Sequence, residues 1–305
     1  MARRLTHTVT PAQAGQRVDA VLRETFHLTG SVIRRIKWLD DGILLDGKKA
    51  FVNAAVAPGQ VLDVAVDDPG REAAILPAPG PLDIVWEDEH LAVLNKQSGV
   101  LVHPVVPGQT DTLGNFLLWH YQTSGQEGTL FHPVHRLDRG TTGLMVVAKH
   151  PSAQTALKQQ LHTPDFRRTY LAVTAGCPEP RVGAVDVPIQ KDPASAIAHR
   201  VHPQGLAART HYQVLSLHGP YALVRLVLDT GRTHQIRVHM AHIGHPLVGD
   251  FLYGAEDKDL IARPALHSHQ LSFLHPMTGK RLDFTQALPQ DMAELLAQKE
   301  RPISF

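Results

Sequence analysis

The decapeptide His135-Arg136-Leu137-Asp138-Arg139-Gly140-Thr141-Thr142-Gly143-Leu144 sets one aspartate between two arginines in a Gly/Thr-rich turn. The turn runs straight into the apolar stretch Leu144 to Ala148, which reads as a buried strand. A carboxylate flanked by cations suits a nucleophile or general base that faces an anionic substrate. The plain alternative is a solvated turn with Asp138 and both arginines at the surface. A fixed string such as His-Arg-Leu-Asp arises by chance in roughly one chain in several hundred of this size, so the segment alone does not choose between them.

Two further runs carry related chemistry. Asp229-Thr230-Gly231-Arg232-Thr233-His234-Gln235-Ile236-Arg237-Val238-His239 reads as a strand end, a glycine turn and a helix over Thr233 to Ile243. Arg237 then lies near the helix N-terminus, where unpaired N–H groups favour anions, and Arg232 adds charge there. Such an element can hold a carboxylate or a phosphate; the alternative is an exposed amphipathic helix. Arg168-Thr169-Tyr170-Leu171-Ala172 opens another strand. Read by itself, Tyr170 is a core or edge-strand aromatic.

Together these runs resemble the catalytic motifs of the RluA-type RNA pseudouridine synthases. The 135–144 run is similar to that family's catalytic loop almost residue for residue. Asn95 to Pro104 is also similar, with Gln97 in place of the usual proline, as are His245 to Asp250, Tyr253-Gly254, Ala265 to His267 and Leu271 to Gly279. The resemblance thus covers about residues 83 to 289. It implies isomerisation of uridine to pseudouridine in structured RNA, ribosomal RNA more than transfer RNA, without a cofactor. The N1–C1′ bond breaks, the bound uracil turns, and C5 joins C1′. It implies Asp138 as the essential carboxylate, Tyr170 as the ring against the uracil, and Arg237 as the partner of Asp138. A buried Asp138–Arg237 pair is therefore expected. Arg168 stands where lysine is more usual. Arg136 is implied in base flipping, and Arg139 and Arg232 in further RNA contact.

Residues 1–70 read as a small module. Val18 to Leu22 begins one short helix, and Ser31 is the candidate N-cap of a second, with Val32, Ile33, Ile36 and Leu39 inward. Ile43 to Leu45 and Phe51-Val52 flank the turn Asp46-Gly47-Lys48-Lys49. Pro58-Gly59 turns into a strand in which Leu62, Val64 and Val66 alternate with Val61, Asp63 and Ala65. This order resembles the alpha-L RNA-binding module of ribosomal protein S-four. The resemblance implies Arg34, Arg35 and Lys37 as RNA contacts; the alternative is a solvated helix face. Residues 71–81, rich in proline and glycine, are the expected linker.

Residues 82–305 are expected to form the catalytic domain. Strands are expected at Leu82 to Glu87, Leu91 to Leu94, Arg168 to Val173, Thr210 to Leu217 and Tyr221 to Leu228. Helices are expected at Thr112 to Tyr121, from an N-cap at Ser152, and from Asp291. Hairpins with scattered helices predict an α+β fold around a mainly antiparallel, mixed sheet.

Composition sets outer bounds. The 305-residue chain has 43% hydrophobic and 19% charged residues and a formal net charge of +1, so any basic surface must be local. Its one cysteine, Cys177, excludes an intramolecular disulfide. No apolar run approaches the roughly 18 residues of a membrane span, and no signal-peptide pattern opens the chain, so a cytoplasmic monomer is expected. Twenty histidines include the pairs His132/His135 and His239/His242, but no Cys-x-x-Cys or His-Glu-x-x-His accompanies them, and no metal is assigned. No phosphate loop or dinucleotide fingerprint is present, so no cofactor is expected. Two other readings stand beside the enzyme: a non-catalytic RNA-binding or ribosome-assembly factor, and a hydrolytic glycosidase, which normally needs two carboxylates.

Overall fold

Alternation along residues 61–66 is realised as burial up to Val64: Leu62, Val64 and Val66 are fully enclosed and Val61 is exposed, but Ala65, expected on the open face, is buried as well. The structure, a computed structural model, describes residues 3–66, 75–126 and 128–297. The first six elements are β1 (Arg4–Thr8), α1 (Val18–Glu24), α2 (Gly30–Ile36), β2 (Ile43–Leu45), β3 (Lys48–Lys49) and β4 (Val61–Ala65). They make a four-stranded sheet, β1-β4-β2-β3, that shares one hydrophobic cluster with both helices. The hairpin is tighter than expected. Asp46 and Gly47 both have positive φ (51° and 76°), so a two-residue turn pairs Leu45 with Lys48, and exposed Phe51 lies beyond the strand. Ser31 does not cap α2. The Thr29 side chain accepts from the Val32 N–H instead, and Ser31 lies inside the helix.

The rest of the chain folds as β5 (Ile84–Glu87), β6 (Leu91–Lys96), α3 (Leu113–Thr123), β7 (His132–Pro133), β8 (Thr142–Ala148) and α4 (Pro151–Gln160). There follow β9 (Arg167–Ala175), β10 (Val182–Asp186), β11 (Ile189–Lys191), β12 (His199–Val201), β13 (Arg209–His218) and β14 (Tyr221–Leu228). The chain continues through α5 (Gln235–His242), β15 (Leu266–Leu274), β16 (Arg281–Thr285) and α6 (Gln290–Ala297). The central sheet runs β10-β13-β14-β9-β15-β8-β6-β5, with β16 beside β15 and β7 beside β8. Among the described strand pairs only β8–β15 is parallel; the sheet is mixed and mostly antiparallel.

Burial on both faces explains why β6 and β8 read as continuous apolar runs. Ala92, Leu94, Met145 and Val147 pack on one face with Leu117 and Tyr121 of α3. Leu91, Val93, Leu144 and Val146 pack on the other with Ala153 and Leu157 of α4. Gly143 is the close approach that lets β8 and β15 meet. Its φ is +104°, and a Cβ there would lie 2.2 Å from the Ser268 carbonyl oxygen.

Ser152 was the expected cap of α4, but His150 takes that place and its Nδ1 accepts from the Ala153 N–H at 3.2 Å. Ser152 is buried and donates its hydroxyl to the Phe26 carbonyl, joining α4 to the segment after α1. Arg3 Nη1 adds a bond to the Lys149 carbonyl at 3.2 Å. Of the expected 71–81 linker, residues 71–74 lie outside the described residues. Residues 75–81 run along α3: Asn115 donates to the Leu76 carbonyl at 2.6 Å, and Gly80 sits flat on the Phe116 ring.

Candidate active site

Residues 135–141 of this run cross the floor of a cleft of about 1130 Å³, and residues 142–144 pass into buried β8. Its walls come from the 98–105 loop, the end of β14 with the start of α5, and the 251–266 segment. Asp138 is the one acidic side chain among the described residues lining it; Arg136, Arg139, Arg168, Arg232, Arg237 and Arg263 all line it.

The loop is pinned from below through its own carbonyls. Lys96, 1% exposed, donates to the carbonyls of Gln97 (2.9 Å), Val100 (2.8 Å) and Arg139 (3.0 Å). Burial outweighs the attraction of Asp138 and pulls the Lys96 ammonium down to about 7. Arg263 Nη1 holds the Gly140 carbonyl at 3.2 Å, while its Nε and Nη2 grip Asp291 at 2.6 and 2.8 Å. Arg139 closes the other side by donating Nε to the Gly99 carbonyl at 2.9 Å.

The helix of the second wall begins two residues later than expected, at Gln235 instead of Thr233. His234 is its N-cap, and its backbone is left-handed (φ 57°, ψ 17°). Gln235 supplies the staple. Its Oε1 accepts from the Arg232 N–H (3.0 Å) and the Thr230 hydroxyl (2.7 Å), and its Nε2 donates to the Arg209 carbonyl (2.9 Å). Arg237 is thereby set in the first turn of α5, buried and pointing into the cleft.

Arg237 forms its strong pair with Asp250. Two bonds of 2.7 Å join Nε and Nη2 to that carboxylate, which is completely buried. Its Nη1 lies 3.5 Å from Asp138 Oδ2, a looser contact. The expected buried Asp138–Arg237 pair is thus a three-membered arrangement with Asp250 at its inner end. Burial lowers the guanidinium's affinity for its proton, but the Asp250 bonds outweigh that and raise it. Tyr170 and Arg168 are both more than nine-tenths buried and occupy alternate positions of β9, so both face the cleft. Burial raises the Tyr170 phenol, opposed by the Arg168 guanidinium.

A family model described as RNA pseudouridylate synthase matches residues 90–242, half of the chain and all of the walls just described except the 251–266 segment. The chain belongs to the RNA pseudouridylate synthase family. An uncharacterized RNA pseudouridine synthase of Bacillus subtilis is 41% identical over 86% of this chain and 92% of its own length. The ribosomal large subunit pseudouridine synthase D of Yersinia pestis is 40% identical over 96% and 93%. Among solved structures, human RNA pseudouridylate synthase domain containing 4 is 26% identical with a TM-score of 0.58, covering 70% of this chain and 92% of that one.

Within this synthase the fold brings Asp138, Tyr170, Arg237, Arg136, Arg139 and Arg232 to one cleft. Arg136 and Arg232 are exposed there, with Arg232 Nε on the Ala207 carbonyl at 3.0 Å. Arg34, Arg35 and Lys37 lie elsewhere, on and just after α2; both arginines are exposed, and the Lys37 ammonium sits 4.8 Å over the exposed Trp38 ring. Reading the residues in order missed Asp250, Lys96, Arg263 and His234 as parts of the site. Asp250 is 13 positions from Arg237, and only the tertiary fold makes them neighbours. Lys96 sits at the end of the apolar strand β6, and that out-of-place charge was the available signal. Among the described residues no group of three or more His, Cys, Asp or Glu could hold a metal, and no helix is long and apolar enough to cross a membrane.

Proposed function

We propose that this synthase isomerises uridine to pseudouridine in ribosomal RNA, with Asp138 as its essential carboxylate. One observation carries the reading: among the described residues a single acidic side chain faces a large cleft otherwise charged by six arginines and Lys158. RNA brings phosphates to such a cleft, and the arginines favour them while Asp138 addresses the ribose. In the proposal Arg237 holds the Asp138 carboxylate at the cleft, and the Tyr170 ring lies against the uracil as it turns. A base–aromatic contact contributes ~1–3 kcal/mol and tolerates ring movement. The target base leaves its stack at a cost of a few kcal/mol. Arg136, exposed beside Asp138, fills the vacated space or holds the flipped phosphate; Arg139 and Arg232 hold flanking backbone. The isomerisation involves no net redox change, so it calls for no redox cofactor.

Ribosomal RNA is preferred as substrate because the Yersinia pestis relative, similar along nearly its whole length, is named for the large ribosomal subunit. We assign residues 1–70 as an alpha-L RNA-binding module, residues 71–81 as a linker and residues 82–305 as the catalytic domain. The paired α1 and α2, the following small sheet and a hydrophobic cluster confined to residues 9–66 support that division. Arg34, Arg35 and Lys37 are its RNA contacts. A glycosidase is disfavoured, since the second nearby carboxylate, Asp250, is buried and committed to Arg237.

The test is to map pseudouridines in total RNA from deletion cells complemented with wild type or Asp138→Asn. Sites restored by wild type alone are expected, and their positions name the substrate. Rescue of a growth defect by both proteins with no site restored would replace the enzyme by an RNA-binding factor.

A further inference from the structure

His234 stands where Asp138 and Arg237 meet, and its ring is hydrogen-bonded to Tyr253. The His199 backbone N–H donates to Tyr253 Oη at 2.8 Å, and that oxygen lies 2.9 Å from His234 Nδ1. With its oxygen already accepting from that amide, the Tyr253 hydroxyl has its own hydrogen available for Nδ1. In that arrangement the ring's proton is on Nε2. That nitrogen lies 4.0 Å from Asp138 Oδ2, the same oxygen that Arg237 Nη1 approaches at 3.5 Å.

The backbone supports a directed placement. A left-handed residue other than glycine is uncommon, and such strain gathers at functional sites. At φ 57° His234 holds its ring against Tyr253 (centroids 5.7 Å apart) and His199 (5.5 Å). Burial disfavours the charged ring; Arg237 and His199 act in the same sense, while Asp138 and Asp250 oppose them. A neutral ring protonated at Nε2 presents that N–H to the carboxylate.

We propose that His234 is a positioning residue for Asp138: its Nε2–H donates to Oδ2 and leaves Oδ1 directed at the substrate ribose. The proposal rests on the reading of Asp138 as the essential carboxylate. The separation of 4.0 Å is within the range over which catalytic hydrogen bonds commonly tighten when substrate binds.

Two substitutions separate positioning from structure. Asparagine tolerates the left-handed backbone but is too short to reach Asp138; glutamine reaches as far as Nε2 but strains that backbone. Single-turnover and steady-state rates are measured on the ribosomal RNA fragment that carries the mapped site. His234→Asn is expected to keep its melting temperature and lose about 10–100-fold in kcat, with KM within about twofold. His234→Gln is expected to melt earlier yet recover most of the rate. Tyr253→Phe removes the hydroxyl that bonds Nδ1 and orients the ring, so kcat should fall in the same sense as in His234→Asn but by less. Full activity in His234→Asn, or a glutamine variant no faster than the asparagine one, would each overturn the proposal. Asp138→Asn run alongside keeps the two readings apart: its inactivity upholds the carboxylate whatever His234 does, and its activity removes the proposed function itself.

Discussion

Arg237 commits Nε and Nη2 to Asp250 and turns Nη1 toward Asp138. The two carboxylates should therefore respond differently to substitution. Asp250→Ala leaves a buried guanidinium without its main partner, at a cost of ~3–5 kcal/mol, and calorimetry should show a large fall in melting temperature. Asp138 is 28% exposed at its side chain and only loosely paired, so Asp138→Asn should change stability by less than about 1 kcal/mol while abolishing pseudouridine formation. Near-equal melting shifts would contradict this division of roles. Arg136 has a third signature. If it replaces a flipped base, Arg136→Ala should lose far more rate on folded RNA than on an unstructured oligonucleotide, where no stack must be broken. Equal losses would remove the flipping role.

At the scale of elements, the catalytic loop is held by cations beneath it. Lys96 gathers three carbonyls from the 97–100 turn and Arg139, and the Gly99 N–H bonds to the same Arg139 carbonyl at 2.9 Å. Lys96→Met keeps the aliphatic stem but takes the ammonium from the Gln97 and Val100 carbonyls, at about 1–3 kcal/mol for each that finds no water, and leaves the Arg139 carbonyl with the Gly99 N–H alone. Amide exchange at Gly99 should quicken by an order of magnitude or more, and kcat should fall more than KM rises; unchanged exchange would show that the turn holds itself. This support was poorly legible in the sequence because carbonyl groups carry no side-chain signature. The strands were legible: apolar runs such as Leu91 to Leu94 and Leu144 to Ala148 admit little else. Helix starts were less so, since Thr29 and Ser31 both suit an N-cap, and only the chain path chose Thr29. At α4 a histidine took the cap and released Ser152 for a contact 126 residues away. The motif residues of the cleft were recovered because family resemblance tied distant segments together; Asp250 fell within a resembling run but carried no assigned role.

Across the whole molecule, buried histidines govern behaviour in acid. Burial, helped by Arg168, holds His135 at about 3; burial, helped by Arg3, holds His150 at about 2. Both are neutral when folded and take up protons near 6.5 when unfolded, so the unfolded chain binds more protons below that pH. Their stabilisation is complete above pH 6.5 and is lost as pH falls toward the folded values. From pH 6.5 to about 5 each should withdraw about 2 kcal/mol. The melting temperature should drop steeply over that interval, and His135→Gln should flatten the slope; a flat profile in the wild type would refute the assignment.

The sheet order has a consequence for synthesis. β15 lies between β9 and β8, yet it is made about 90 residues after β9. At ~5–20 residues per second the ribosome needs roughly 5–20 s to deliver it. Over that interval two apolar strands of the nascent chain wait with open edges on either side of a vacant seat. A protein built this way is exposed to aggregation before it is finished, and its yield in cells should depend on the chaperones that meet it at the tunnel exit.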